Sequence, residues 1–86
     1  MNNDELGQLI TRIKKDVLKV GDEIYGAVTK KTPKNNLTDL LYRSHNLLKE
    51  YDDLLSQLKG GKKESLLSFE FDVDQIRENL KIIEAN

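Results

Sequence analysis

The chemistry open to this 86-residue chain starts from a single histidine, His45, because the sequence has no cysteine. An imidazole can serve as base, nucleophile or metal ligand, but each role needs partners held around it. Without thiols there is no disulfide and no thiolate zinc site. Carboxylates are the remaining candidates. Asp22-Glu23 and Asp52-Asp53 are adjacent pairs, and neighbours on a helix diverge by roughly 100° instead of converging on one ion. Asp72, Asp74 and Glu78 lack the glycine and the ligand spacing of a calcium loop. Gly60-Gly61 follows no strand pattern, so it reads as a turn and not as a phosphate cradle. The expectation is a non-enzyme with no metal, no cofactor and no small-molecule substrate.

Three amphipathic segments must position whatever these residues do. Leu37, Leu41, Leu48, Tyr51, Leu55 and Leu58, with Ser44 as the one polar gap, follow the alternating four-three spacing of one helical face. Leu40, Leu47 and Leu54 widen that face. The first segment repeats the spacing at Leu6, Ile10, Ile13, Val17, Val20, Ile24 and Ala27, with Asn3 or Asp4 as cap. Gly21-Asp22 could end one helix and cap another, but the register runs through Gly21 without a phase shift, which favours one helix over two. Pro33 breaks the pattern, and Asn36 then stands where an N-cap belongs, with Asp39 three residues on. Gly60 and Gly61 supply the next stop.

In the last segment, residues 68–74 alternate apolar and polar like a strand. Leu66, Phe69, Val73, Ile76, Leu80 and Ile83 carry helical spacing across that patch for about 18 residues, and the longer signal wins. The expected fold is all-α, a single domain over 1–86. It is an antiparallel up-down-up three-helix bundle with coiled-coil-like heptad spacing and helices at about 3–30, 36–59 and 64–84. Lys30, Lys31 and Lys34 gather at one end and Lys59, Lys62 and Lys63 at the other, each group read as following a helix C-terminus where the dipole favours cations.

Fourteen basic and fifteen acidic residues leave a net charge of −1, so no strong field points to nucleic acid or an anionic membrane. The start, residues 1–9, lacks the basic and apolar regions of a secretory signal. No run approaches the ~20 apolar residues that span a bilayer. A cytoplasmic protein that contacts neither nucleic acid nor membrane is expected.

His45 falls about 120° from the centre of the central apolar stripe, on an outer side shared with Lys49, Asp52 and Ser56. The stretch 42–49 resembles the His-x-x-Lys-Gly pattern of histidine phosphotransfer domains. These are helical bundles that expose one histidine with a lysine one turn later. The resemblance implies His45 as phosphoryl acceptor and Lys49 as the residue that steadies the phosphoryl group. It covers about eight residues; Lys49 comes four after His45, and Glu50 stands where that family has glycine.

The stronger functional signal is apolar surface that the bundle does not need. Leu67, Phe71 and Ile82 fall roughly 150–200° from the third segment's core stripe. Leu18 and Tyr25 lie off the edge of the first stripe, and Tyr42 lies away from the central leucines. Such a second face fits a partner protein or a second copy of the chain. The expectation is a small protein-interaction or regulatory module of inhibitor, immunity, antitoxin or secretion-partner type. The phosphotransfer relay through His45 is the alternative.

Overall fold

Asn2 opens the first helix in the computed structural model, which describes residues 2–85. Its Oδ1 accepts the Glu5 backbone N–H at 2.8 Å, so the cap lies one residue before the expected pair. Helix α1 then runs unbroken from Asn3 to Thr29. Twenty-seven residues at 1.5 Å each make a rod of about 40 Å, close to the 42 Å long axis of the molecule. Gly21 and Gly26 do not interrupt it.

The end of α1 has a specific geometry. Thr32 N–H bonds to Ala27 C=O and Lys31 N–H to Val28 C=O, the paired bonds that close a helix through one left-handed residue. That residue is Lys31, at φ 53°, where glycine is usual. A 3-10 helix, Lys34–Leu37, follows Pro33 and leads into α2, Thr38–Gln57. Asn36 is therefore inside the 3-10 turn and caps nothing; its N–H bonds to Pro33 C=O.

The chain is all-helical, with no strand among the described residues, but the third leg is two helices where the spacing predicts one. They are α3, Gly60–Leu67, and α4, Glu70–Glu84. No proline or glycine marks the break. Tyr51 supplies the cause: its hydroxyl donates to Leu66 C=O at 2.9 Å in the core, and a side chain inserted into the helical ladder is a recognised source of kinks. Ser68 Oγ adds a bond to Ser65 C=O. Phe69 then packs edge-on against Tyr51, ring centres 5.7 Å apart. The core register survives the break, since Leu66, Phe69, Val73, Ile76, Leu80 and Ile83 are all buried.

The extra helix also revises the lysine reading. Gly60 is left-handed at φ 63°, but it opens α3 instead of closing α2, which ends at Gln57. Lys59, Lys62 and Lys63 thus sit at a helix N-terminus, the end where the dipole disfavours cations.

Two sets of contacts fix the topology. On one side of α1 the chain runs parallel to it: Gly7 lies by Lys62 and Gly21 by Ile76, 55 positions on in both cases. On the other side α2 runs antiparallel, with Arg12 paired to Glu50 and Arg43 to Glu23. The path is up, down, then up in two pieces. In α2 the buried row is Leu40, Ser44, Leu47, Tyr51 and Leu54, while Leu41, Leu48, Leu55 and Leu58 are only partly covered. Ser44 and Tyr51 of the expected face are the deepest positions, and the row expected to widen that face, Leu40, Leu47 and Leu54, is buried beside them. Ser44 is buried at no polar cost, because its hydroxyl donates to Leu40 C=O at 2.7 Å.

Candidate functional site

His45 projects from the side of α2 facing α4, and its Nε2 meets the Glu84 carboxylate. The ring is more than half exposed. Lys49 is exposed on the back of α2, with no ion pair to His45 or to any described residue. The group beside the imidazole is thus an acid from another helix and not the lysine one turn on. Among the described residues no set of three acidic or histidine side chains could hold a metal ion, and no helix is long and apolar enough to cross a membrane.

The His45–Glu84 pair belongs to a wider pattern. All three arginines of the chain bridge two carboxylates, one on their own helix and one across a helix seam. Arg12 joins Asp16 and Glu50, Arg43 joins Asp39 and Glu23, and Arg77 joins Asp74 and Asp52. The hydrogen bond to Glu50 raises Arg12 above the ordinary guanidinium range, and the bond to Asp39 does the same for Arg43. Glu23 Oε2 is fully covered, makes no aligned hydrogen bond, and has Arg43 Nη1 3.1 Å away as its counter-charge. Both flanks of α2 are therefore edged with polar pairs: the ion pairs Arg12–Glu50 and Arg43–Glu23 toward α1, and the ion pair Arg77–Asp52 with the hydrogen-bonded His45–Glu84 toward α4.

The third seam is built differently. The α1–α4 contact is the most extensive in the molecule, yet no ion pair crosses it among the described residues. Its outer edge carries apolar side chains instead. Leu18, Tyr25, Tyr42, Leu67, Phe71 and Ile82 are the exposed large apolar residues, from 39% accessible at Leu67 to 73% at Phe71. Leu18 and Tyr25 line a groove with Val17, Gly21 and Asp22 of α1 and Asp72, Gln75 and Asn79 of α4. Phe71 and Ile82 stand on the α4 shoulder of that groove, on one helical line. Ile82 also borders the turn at Lys31–Lys34.

The structure brings four of the six residues to one face. The 55-position register sets Leu18 opposite residue 73 and Tyr25 opposite residue 80. Phe71 then lies within about a turn of Leu18 along the axis, and Ile82 within about a turn of Tyr25. These two apolar rungs, Leu18 with Phe71 and Tyr25 with Ile82, are about 10 Å apart on α1, the rise of seven helical residues, and about 16 Å apart on α4, the rise of eleven. Leu67 belongs to α3, ahead of the break. Tyr42 stands alone on the back of α2, about 200° round from buried Leu40.

Sequence reasoning missed the charged edges and the rungs, because both depend on how two helices align. It also missed the groove residues Asp22, Asp72, Gln75 and Asn79. The one signal available was Gly21, whose missing side chain lets Ile76 approach: a Cβ there would meet Ile76 Cγ1 at 3.8 Å. No known family matches the chain, and no curated protein or solved structure is significantly similar to it.

Proposed function

We propose that this chain is a small non-catalytic protein-interaction module of the cytoplasm, and that the outer α1–α4 face is its binding surface. The observation that carries the reading is the asymmetry of the three seams. Two are edged with charged pairs, and the third is edged with Leu18, Tyr25, Phe71 and Ile82. Large rigid side chains bury the most area for the least ordering cost, so Phe71 and Tyr25 are the anchors. An inhibitor, immunity, antitoxin or secretion-partner role would each use such a surface. Tyr42 and Leu67 lie off it and contribute less. The relay reading is weaker, because the Glu84 carboxylate occupies the His45 nitrogen that would accept a phosphoryl group, and like charges repel there.

Affinity capture with the tagged chain as bait, from cells of its own source, tests the reading. Wild-type protein retains a defined partner and Phe71→Glu loses it, while both melt cooperatively by circular dichroism. Capture of the same partner by Phe71→Glu would remove this face as the binding surface.

A further inference from the structure

We infer that the occupant of the α1–α4 face is an amphipathic helix of another protein that carries lysine or arginine between two apolar anchors; this rests on the face being the binding surface. Two parallel helices leave a groove that a third helix fills; the Leu18–Tyr25 spacing of about 10 Å matches side chains at i and i+7 of that helix, and the Phe71–Ile82 spacing of about 16 Å matches i and i+11. The occupant meets acid beside the first anchor and between the two: in the 55-position register Asp72 lies level with the Leu18–Phe71 rung, and Asp22 falls between the rungs. Asp22 and Asp72 line the groove, make no ion pair among the described residues, and have no cation beside them there. Gln75 and Asn79 add hydrogen-bonding groups. Basic side chains at i+3 or i+4 of the occupant would reach this zone.

The same charges argue against a second copy of the chain. Along the face the sign changes from basic at Lys14, through acidic at Asp72 and Asp22, to basic at Lys31 and Lys34. A two-fold contact through this face sets acid on acid at its centre and lysine on lysine at its ends when antiparallel. A parallel one also opposes equal levels. Either arrangement juxtaposes like charges across an interface, which is costly.

Two labelled helical peptides of about five turns test this. One has leucines at i, i+7 and i+11 with lysines at i+3 and i+4; its twin has glutamates in place of the lysines. Fluorescence anisotropy at low and high salt gives the affinities for wild type, for Asp22→Asn/Asp72→Asn, and for Phe71→Glu. The inference predicts that wild type binds the lysine peptide roughly tenfold or more tighter than its twin at low salt. That preference shrinks at high salt and collapses in the double variant, and Phe71→Glu binds neither peptide. Equal binding of both peptides, abolished by Phe71→Glu, would overturn the charged occupant and leave the surface standing. No binding of either peptide overturns the inference, while affinity capture decides the surface separately. A wild-type dimer in sedimentation that Phe71→Glu dissociates would also overturn it, in favour of a second copy.

Discussion

The two flanks of α2 and the outer edge of α1–α4 bury apolar rows of the same kind, yet finish them in opposite ways. Along α2, arginines and His45 pair with carboxylates from the neighbouring helix, beside leucines that are at least partly covered. Along α1–α4 the rim is Leu18, Tyr25, Phe71 and Ile82, with two carboxylates, Asp22 and Asp72, that make no ion pair among the described residues. Exposed ion pairs contribute little stability, about 0–1 kcal/mol each. They do fix which helix lies beside which, and they make a rim hydrophilic. A rim without them resembles an interface with one side missing. On the proposed reading, it is the seam edges and not the cores that distinguish scaffold from binding surface.

The α2 side breaks most visibly at Tyr51. Tyr51→Phe leaves Leu66 C=O without its hydroxyl donor in the core and should cost about 1–2 kcal/mol in chemical denaturation at neutral pH. Burial, and then the nearby Glu70 charge, raise the Tyr51 phenol above its ordinary value. A raised folded value means that the contribution is complete below the unfolded phenol value, about 10, and is lost as pH climbs through the folded one. The stability gap between wild type and Tyr51→Phe should therefore narrow above about pH 10. A gap that widens there would contradict the buried hydroxyl.

Arg43→Ala comes next. It removes the ion-pair partner of the covered Glu23 Oε2, but solvent screening at these partly exposed side chains holds the loss to about 1 kcal/mol. For a domain of this size that is a fall of about 4–8 °C in Tm. The smallest effect belongs to the other region. Tyr25→Ser alters a side chain that is 63% exposed and should change stability by no more than about 0.5 kcal/mol. A larger loss would mean that Tyr25 packs into the bundle and not on its rim.

Much of this was legible in the sequence, and the illegible parts share one cause. The buried rows of α1 and of the third leg follow from spacing alone, since a helix fixes the angle between its own residues. The exposure of Leu18, Tyr25, Tyr42, Leu67, Phe71 and Ile82 follows from the same arithmetic. What spacing cannot supply is anything set by a neighbouring helix. The two leucine rows of α2 lie about 100° apart, and only packing against both α1 and α4 buries Leu40, Leu47 and Leu54 while leaving Leu41, Leu48 and Leu55 partly covered. The break after Leu67 depends on Tyr51, fifteen residues from the carbonyl it captures. Its local trace was the alternating stretch 68–74, which weakens the helical pattern where α4 begins. The rungs needed the 55-position register between α1 and α4.

The central claim, that the outer α1–α4 face is the working surface, is tested most directly by comparing two equally exposed aromatic positions on opposite sides of the molecule. Phe71 is 73% accessible on that face and Tyr42 is 69% accessible on the back of α2. Phe71→Glu and Tyr42→Glu introduce the same charge at matched exposure, so one titration of each variant against the captured partner separates face from charge. The account predicts that Tyr42→Glu binds as wild type does, while Phe71→Glu loses at least roughly a hundredfold in affinity, the loss expected for an anchor residue. Equal losses in both, or a loss confined to Tyr42→Glu, would contradict it.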